Sequence, residues 1–287
     1  MSITGRPTPD LTTRRAPGLG GFNMTILAIE VRRLLRNRRT LIFSIVLPVV
    51  FFLVFGLNAQ YAGDAVGNGN VSAYVMISMA LYGAILATTS GGAMVSVERA
   101  AGWSRQLRLT PLAPFAYVAI KMLTALVLGL GSVLAVYATG LITGGPSMPV
   151  QLWIITGLCV WIGSLVFAAF GLFMGYLLPT ENVMQILSFA LVLFAFGGGL
   201  FIPLDQMSEL FQDIAVYTPL YGLNELVHAP LTGQAPTVTD VVNVLAWLAI
   251  FTGGAIWRFR RDTARVCHTV CNGRGPTPPR RGIDSTR

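Results

Sequence analysis

The chain has 287 residues, of which 54% are hydrophobic and only 11% are charged, and its mean hydropathy is +0.66. Soluble domains carry about 25% charged residues, so this composition excludes an ordinary soluble domain and indicates an integral membrane protein. The net charge of +8 does not indicate nucleic-acid binding, because the basic residues flank long apolar runs, as membrane topology requires.

The basic residues define a membrane topology. All 20 Lys and Arg residues lie before Leu41, between Arg99 and Lys121, or after Trp257. Cytoplasmic loops of membrane proteins collect Lys and Arg, so we assign these three segments to the cytoplasm. Both termini are then cytoplasmic, and the chain crosses the membrane an even number of times.

The N-terminal region divides into an arm and a helix. Residues 1–22 are rich in Gly, Pro, Thr and Arg, which predicts a disordered cytoplasmic arm. Residues 24–39 combine an apolar stripe at helical spacing with flanking arginines: Leu27, Val31, Leu34 and Leu35, then Arg32, Arg33, Arg36 and Arg39. This pattern predicts an amphipathic helix in the membrane interface, with its guanidinium groups on lipid phosphates. The alternative is that these arginines are only the basic flank of the first span.

Six apolar segments predict an all-α membrane domain over residues 23–261. They lie at about residues 41–57, 71–90, 117–141, 152–178, 182–201 and 238–257. The fourth is about 40 Å long at the helical rise, which exceeds a hydrocarbon core of about 30 Å and predicts a tilted helix. Lys121 lies near the start of the third span, and we expect its amine to reach back to the interface.

The connection between the fifth and sixth spans is the long outer one. Met207, Leu210, Phe211 and Ile214 repeat at helical spacing, and Pro219 interrupts the apolar segment that follows. We predict short re-entrant or interfacial helices here, and the alternative is an amphipathic loop on the surface. The candidate outer-gate residues are Pro203, Phe211, Tyr217, Pro219 and Tyr221.

The C-terminal residues 262–287 are rich in Pro, Gly and Arg, which predicts a disordered basic cytoplasmic tail. Cys267, His268 and Cys271 are three possible metal ligands, but without a second pair they do not match the spacing of zinc sites. We therefore predict no metal site. The predicted outer loops hold no cysteine, so we expect no structural disulfide.

The residue types also limit the chemistry. Lys121 is the single lysine and stands between Ile120 and Met122, so the Gly-Lys-Ser or Gly-Lys-Thr sequence of a phosphate-binding P-loop is absent. We predict no catalytic residues, no ATP hydrolysis and no cofactor in this chain. Proton-coupled transport needs intramembrane acids, and the predicted spans hold no Asp or Glu at depth. Backbone sites at broken helices could still bind sodium, so the lack of these acids does not exclude sodium coupling.

The basic inner loop contains apolar residues that the topology does not require. Arg99, Arg105 and Arg108 satisfy the positive-inside rule, and they need no further role. Trp103 and Leu107, however, are apolar residues on a cytoplasmic loop that Pro111 closes. This pattern predicts a short amphipathic helix that a protein partner binds.

The run Glu98…Gly102-Trp103…Arg105-Gln106-Leu107-Arg108…Thr110-Pro111-Leu112 resembles the cytoplasmic coupling segment of type-2 ABC exporter permeases, in the branch of bacterial antibiotic-resistance exporters. Phe201-Ile202-Pro203-Leu204 and Tyr217-Thr218-Pro219 are also similar to family features. The family usually has a second acidic residue where Ala100 stands. The resemblance covers about residues 22–266.

The resemblance implies a passive permease subunit of an ATP-driven exporter in the bacterial cytoplasmic membrane. Two permease chains, as a homodimer or a heterodimer, would work with two separate ATPase subunits, which bind ATP and Mg. It implies ATPase coupling through Glu98, Arg99, Gly102, Trp103, Arg105, Leu107, Arg108, Thr110 and Pro111.

The residues of the predicted spans limit the class of substrate. No charged cluster lines the spans, which favours a lipophilic drug, antibiotic or lipid-like molecule. Export of a polysaccharide or lipid-linked glycan is the alternative within the family. Outside it, an ion-coupled secondary carrier and a non-transporting membrane scaffold or channel are the other function classes.

Overall fold

The computed structural model describes residues 24–36, 38–57, 60–102, 114–201, 204 and 207–271, with the backbone alone at residues 35, 38–41, 114 and 262–271. The described chain is mostly helical, as the composition predicts for a membrane protein. One two-stranded antiparallel hairpin, β1 (Ala65–Val66) with β2 (Gly69–Asn70), is the exception among the described residues.

The helices follow the predicted apolar segments. They are α1 (Met24–Leu35), α2 (Arg38–Phe51, continued by a π-helical turn Phe52–Gly56), α3 (Val71–Ala93), α4 (Val95–Ala100), α5 (Pro114–Thr143), α6 (Val150–Gly163), α7 (Leu165–Leu177), α8 (Val183–Gly197), α9 (Glu209–Ala215), α10 (Tyr221–Thr232) and α11 (Val238–Cys271).

Within the part of the chain that the structure describes, four helical stretches have the length and apolar composition to cross a membrane. They are Val71–Ala100, Phe115–Thr143, Val150–Leu177 and Val238–Arg261. The first and fifth predicted spans correspond to the shorter apolar helices Ile42–Gly56 and Val183–Gly197. Pro48 lies inside α2, where it removes one backbone hydrogen bond, and the π-helical turn begins four residues later.

Helix α3 forms the centre of the fold. It packs most extensively on α5 and α7, and it also contacts α2, α6 and α8. Its sequence is apolar or small on every side, and nearly all of its side chains are buried. A helix that is hydrophobic all round is expected at the core, with the other helices around it.

The contact between α3 and α7 depends on glycine. A Cβ atom on Gly171 would lie 2.8 Å from the Cα atom of Thr89, and one on Gly92 would lie 2.7 Å from the backbone nitrogen of Leu172. The Thr89 hydroxyl donates a hydrogen bond to the Phe167 carbonyl oxygen at 3.3 Å. The two backbones therefore touch, as small residues allow where helices pack in lipid.

Two helices differ from the predicted boundaries. The fourth apolar segment contains a turn at Ser164, whose hydroxyl donates to the Trp161 carbonyl at 2.6 Å, a contact that often bends helices. The last helix continues to Cys271, past residue 262, where we predicted a disordered tail to begin. Its 34 residues measure about 50 Å, more than the thickness of a hydrocarbon core.

The predicted short helices between the fifth and sixth spans are present as α9 and α10. Helix α10 buries Leu223, Val227 and Leu231 and packs against α3, α6 and α11, so it is not a surface loop. The hairpin closes over its end, where the backbone nitrogen of Asn68 donates to the Leu231 carbonyl at 2.7 Å.

We expect Gly171→Ala to destabilise the protein, because the new methyl group meets the backbone of α3 and cannot displace it cheaply. Overpacking of this kind costs about 1–3 kcal/mol. The matched control is Gly131→Ala on α5, where an added Cβ has no atom within 4 Å. The midpoint of thermal unfolding of each purified variant measures the effect. Equal midpoints for the two variants would show that the contact between α3 and α7 has room for an added methyl group at Gly171.

Candidate coupling site and cavity

A buried lysine lies between two carboxylates at one end of the helical bundle. Lys121 of α5 is 4% exposed, and its Nζ atom lies 2.8 Å from Glu30 Oε2 and 2.6 Å from Glu98 Oε1. Glu30 comes from α1 and Glu98 from α4, so the lysine joins three separate helices. Charges buried this deeply are found in pairs, since an unpaired one would lose its hydration without compensation.

Two further groups complete this arrangement. Arg33 Nη1 lies 3.0 Å from Glu98 Oε1, and the Tyr117 hydroxyl donates to Glu98 Oε2 at 2.8 Å. Both oxygens of the Glu98 carboxylate thus have partners inside the protein. We call Glu30, Arg33, Glu98, Tyr117 and Lys121 the inner cluster. Its two acids and two bases balance in charge.

The position of Lys121 corrects the sequence prediction. We expected its amine to reach back to the membrane interface, whereas the structure buries it against Glu30 and Glu98. The reason is local charge. With two carboxylates within hydrogen-bond distance, the ammonium group exchanges water for charged partners.

Helix α1 forms as predicted, but its apolar stripe packs on protein. Leu34 is buried with Ala87 and Leu128, while Leu27 and Val31 are half-buried. Glu30 lies on the same face and is 8% exposed. The arginines Arg32, Arg33 and Arg36 are exposed, and the side chain of Leu35 lies outside the described ones. The stripe that we assigned to the lipid interface is thus largely the docking face of α1 on the bundle.

Arg99 ties α4 to the end of α7. Its Nη1 atom donates to the carbonyl oxygens of Gly175 at 3.3 Å and Tyr176 at 2.7 Å, near the C-terminus of α7. A cation is favourable there, because the last carbonyls of a helix carry partial negative charge. The Thr180 hydroxyl adds a hydrogen bond to the Ser96 carbonyl at 2.9 Å. Helix α4 is therefore bound to α1, α5 and α7 at once.

The candidate coupling residues divide into two sets. Glu98 is buried and Arg99 half-buried, and both have partners inside the protein. Gly102 has a φ of +75°, a left-handed conformation that ends α4 and that glycine adopts without strain. The remaining candidates lie outside the described residues: Trp103, Arg105, Leu107, Arg108, Thr110 and Pro111. Their assignment to a partner contact stays a prediction.

A cavity of about 660 Å³ opens between α2, α3 and α8. Its described lining is apolar and aromatic apart from hydroxyl groups on α3: Phe51, Phe55, Val71, Tyr74, Val75, Ser78, Met79, Tyr82, Val192, Phe196, Leu200 and Phe201. Tyr74, Ser78 and Tyr82 are spaced four residues apart and so lie on one face of α3. None of the described lining residues is charged, which suits an uncharged lipophilic ligand.

The four candidate gate residues that the structure describes do not line this cavity. Pro219 is buried, Tyr221 is half-buried, and Phe211 and Tyr217 are exposed. None of these four is among the described residues that line the cavity. Pro203 lies outside the described residues. Their assignment to an outer gate stays a prediction.

Sequence reasoning missed Glu30, Lys121 and His228. A lone acid within the apolar stripe of α1 and a lone lysine within an apolar span were the available signs, since such charges usually pair in a membrane. His228 lies between the fifth and sixth predicted spans, where no pattern indicates burial, yet it is 4% exposed and lies against α3. The side chains of Cys267, His268 and Cys271 are not among those described, so the absence of a metal there stays a prediction.

We expect Lys121→Met to destabilise the protein strongly, because it leaves two carboxylates buried with the partly exposed Arg33 as their one remaining cation among the described residues. Breaking a buried pair in this way costs about 3–5 kcal/mol. Adding Glu30→Gln and Glu98→Gln to this variant should recover part of the loss. The control is Arg36→Met on the exposed face of α1. Thermal unfolding of the four proteins measures the effect, and a Lys121→Met midpoint equal to that of Arg36→Met would contradict the pairing.

Comparison with known proteins agrees with this architecture. The Bacillus subtilis (strain 168) protein named "Putative transport permease YvfS" is 27% identical to this chain over 230 residues, which cover 77% of this chain and 90% of that protein. The family described as ABC-2 type transporter matches residues 23–231. That match runs from α1 into the last turn of α10 and covers more than half of the sequence, so the chain belongs to the ABC-2 type transporter family.

Proposed function

We propose that this chain is the permease subunit of an ATP-driven exporter and moves an uncharged lipophilic molecule out of a bacterial cell. A separate ATPase chain supplies the energy, with ATP and Mg bound there. The observation that carries the proposal is the inner cluster, which binds α4 to α1 and α5 at the start of the coupling segment, together with Arg99, which binds α4 to α7. Family membership supports the role in transport.

The inner cluster gives this coupling a physical basis. A displacement of residues 103–112, the part of the coupling segment that follows Gly102, reaches α4 first, because Gly102 ends that helix. Helix α4 cannot move alone without separating Glu98 from Lys121 and Arg99 from the carbonyls of α7. Closure of the ATPase would therefore move α1, α4 and the inner ends of α5 and α7 together, as a two-state transition requires.

The cavity between α2, α3 and α8 is the proposed substrate site. Its volume of about 660 Å³ falls in the range of sites for drug-sized ligands. The lining also disfavours a polysaccharide, because a glycan needs many more hydrogen-bonding groups than Tyr74, Ser78 and Tyr82 provide. A lipophilic drug, antibiotic or lipid-like molecule fits best.

The proposed working unit contains a second permease copy and two ATPase chains. Helix α8 exposes Phe189, Leu193 and Phe196, which in a membrane meet either lipid or another protein chain. Since α8 also forms one wall of the cavity, a second copy on this face would help to close the site. A homodimer is the simplest arrangement for a single chain of this kind.

The proposed topology has six spans with both termini in the cytoplasm. In a background without Cys159, Cys267 and Cys271, we expect Gly63→Cys and Gln234→Cys to react with a membrane-impermeant maleimide added to intact cells. Gly63 and Gln234 are both exposed, and a Cβ atom added at Gly63 would have no atom within 4 Å. We expect Glu181→Cys, in the turn between α7 and α8, to react only after the cells are opened. Labelling of Glu181→Cys in intact cells would overturn the six-span arrangement.

The functional test is efflux of lipophilic dyes and antibiotics from cells that contain the permease and its candidate ATPase. We expect export that requires ATP and persists when ion gradients are collapsed. Trp103→Ala and Arg105→Glu should abolish it, because both remove contacts that a partner needs, with Arg36→Met as the control. If export and assembly with the ATPase both survive these two variants, the docking hypothesis is wrong. Export that continues without ATP and stops when the ion gradients are collapsed would identify a secondary carrier instead.

A further inference from the structure

His228 lies behind the wall of the cavity. It is carried by α10, and its ring stacks on that of Tyr74 with the centroids 4.1 Å apart. Its Nε2 atom is 3.0 Å from the Ser78 hydroxyl oxygen, and its Nδ1 atom is 2.9 Å from the Asn224 carbonyl oxygen. Tyr74 and Ser78 both line the cavity. His228, from the connection between the fifth and sixth predicted spans, therefore contacts the hydroxyl-bearing part of this wall on the side that faces away from the cavity.

The partners of His228 determine where its proton lies. Carbonyl oxygens only accept hydrogen bonds, and each ring nitrogen lies near one: Nδ1 is 2.9 Å from that of Asn224 and Nε2 is 3.3 Å from that of Tyr74. The shorter contact favours the tautomer with its proton on Nδ1. Burial lowers the pKa of His228 to about 4, so the ring is neutral at physiological pH and has one proton. Nε2 is then an acceptor, and the Ser78 hydroxyl is the donor beside it.

The proton of Ser78 therefore stays within the protein. Its oxygen lies 3.0 Å from His228 Nε2 and 3.1 Å from the Tyr74 carbonyl oxygen, and both of these atoms are acceptors. Whichever of them receives the proton, the hydroxyl has no second proton to donate to a ligand. What remains available to the cavity is a lone pair on the Ser78 oxygen, which accepts a hydrogen bond.

We propose that Ser78 determines specificity by selecting lipophilic molecules that carry an uncharged hydroxyl or N–H donor, and that His228 is a positioning residue that supports this choice as an acceptor of the Ser78 proton beside the Tyr74 carbonyl oxygen. This inference rests on the proposed function, since it takes the cavity as the substrate site. Ser78 lies between Tyr74 and Tyr82 on α3, so the donor of the ligand would sit near the middle of the hydroxyl-bearing wall.

The probes for this proposal are pyrenemethanol and its methyl ether, two uncharged lipophilic molecules that differ by one O–H donor. Binding to the full-length permease in lipid nanodiscs is measured by energy transfer from tryptophan to pyrene, with subtraction of the partition into empty nanodiscs. One hydrogen bond lost from a buried site corresponds to about a fivefold difference in affinity. We expect the alcohol to bind about fivefold more tightly than the ether.

Substitutions separate positioning from general stability. Ser78→Ala should equalise the two probes. His228→Leu removes one of the two acceptors of the Ser78 proton and leaves the Tyr74 carbonyl oxygen, so it should reduce the preference less than Ser78→Ala does. His228→Gln should retain the preference, since its amide oxygen can accept that proton. Thr232→Val on the same helix is the control, because the Thr232 hydroxyl bonds only to carbonyls of its own helix, and it should behave as the native chain.

The outcomes distinguish this inference from the proposed function. Val75→Phe narrows the cavity and should weaken binding of both probes. If it does so while the native chain binds alcohol and ether equally, the role of Ser78 is overturned and the cavity assignment stands. If Val75→Phe changes neither affinity, the cavity assignment fails and the inference fails with it. If His228→Leu does not yield a folded chain, the comparison of native protein with Ser78→Ala decides the question.

Discussion

The architecture depends on the burial of Lys121 between Glu30 and Glu98. The three charges come from α5, α1 and α4, and they meet with almost no access to solvent. Removing such groups from water is costly, and it becomes tolerable only when the geometry is good and the remaining protons and lone pairs have partners. Arg33 and Tyr117 provide those partners for Glu98. The inner cluster is therefore more important for the relative position of the helices than for net stability.

The sequence predicts the helices well because apolar length is a direct consequence of the bilayer. Every predicted span contains a helix, and the short helices between the last two spans form as expected. The partners of the charged residues were not predictable from the pattern. Glu30 and Lys121 are 91 positions apart, and no periodicity relates them. The same limit applies to Gly92 and Gly171, whose close approach depends on how α3 crosses α7.

The candidate site was predictable in part. The resemblance identified the segment that begins at Glu98, and the structure places that residue at the point where α4 joins the bundle. The resemblance implied a partner contact for Glu98, whereas its carboxylate is fully engaged inside the protein. For His228 the sequence predicted no contact at all. The residue lies in the connection between two predicted spans, and nothing in the pattern indicated that α10 packs this histidine against α3.

The way α3 is held constrains how the cavity can change shape. Helix α3 runs into α4 as one helical stretch, Val71–Ala100, so the distance from Tyr82 at the cavity to Glu98 at the inner cluster is about 24 Å along the axis. Over the inner half of this path the backbones of α3 and α7 touch at Gly92 and Gly171, so these two helices must move as a unit. The opposite walls, α2 and α8, meet this pair through aromatic rings: Phe51 of α2 lies on Tyr82 with centroids 6.4 Å apart, and Phe194 of α8 lies 5.5 Å from Phe170 of α7. Ring contacts can slide at lower cost than touching backbones, because they involve no interlocked main chain. We therefore expect a movement of α4 to displace α3 and α7 relative to α2 and α8, which opens or closes the cavity along its aromatic side.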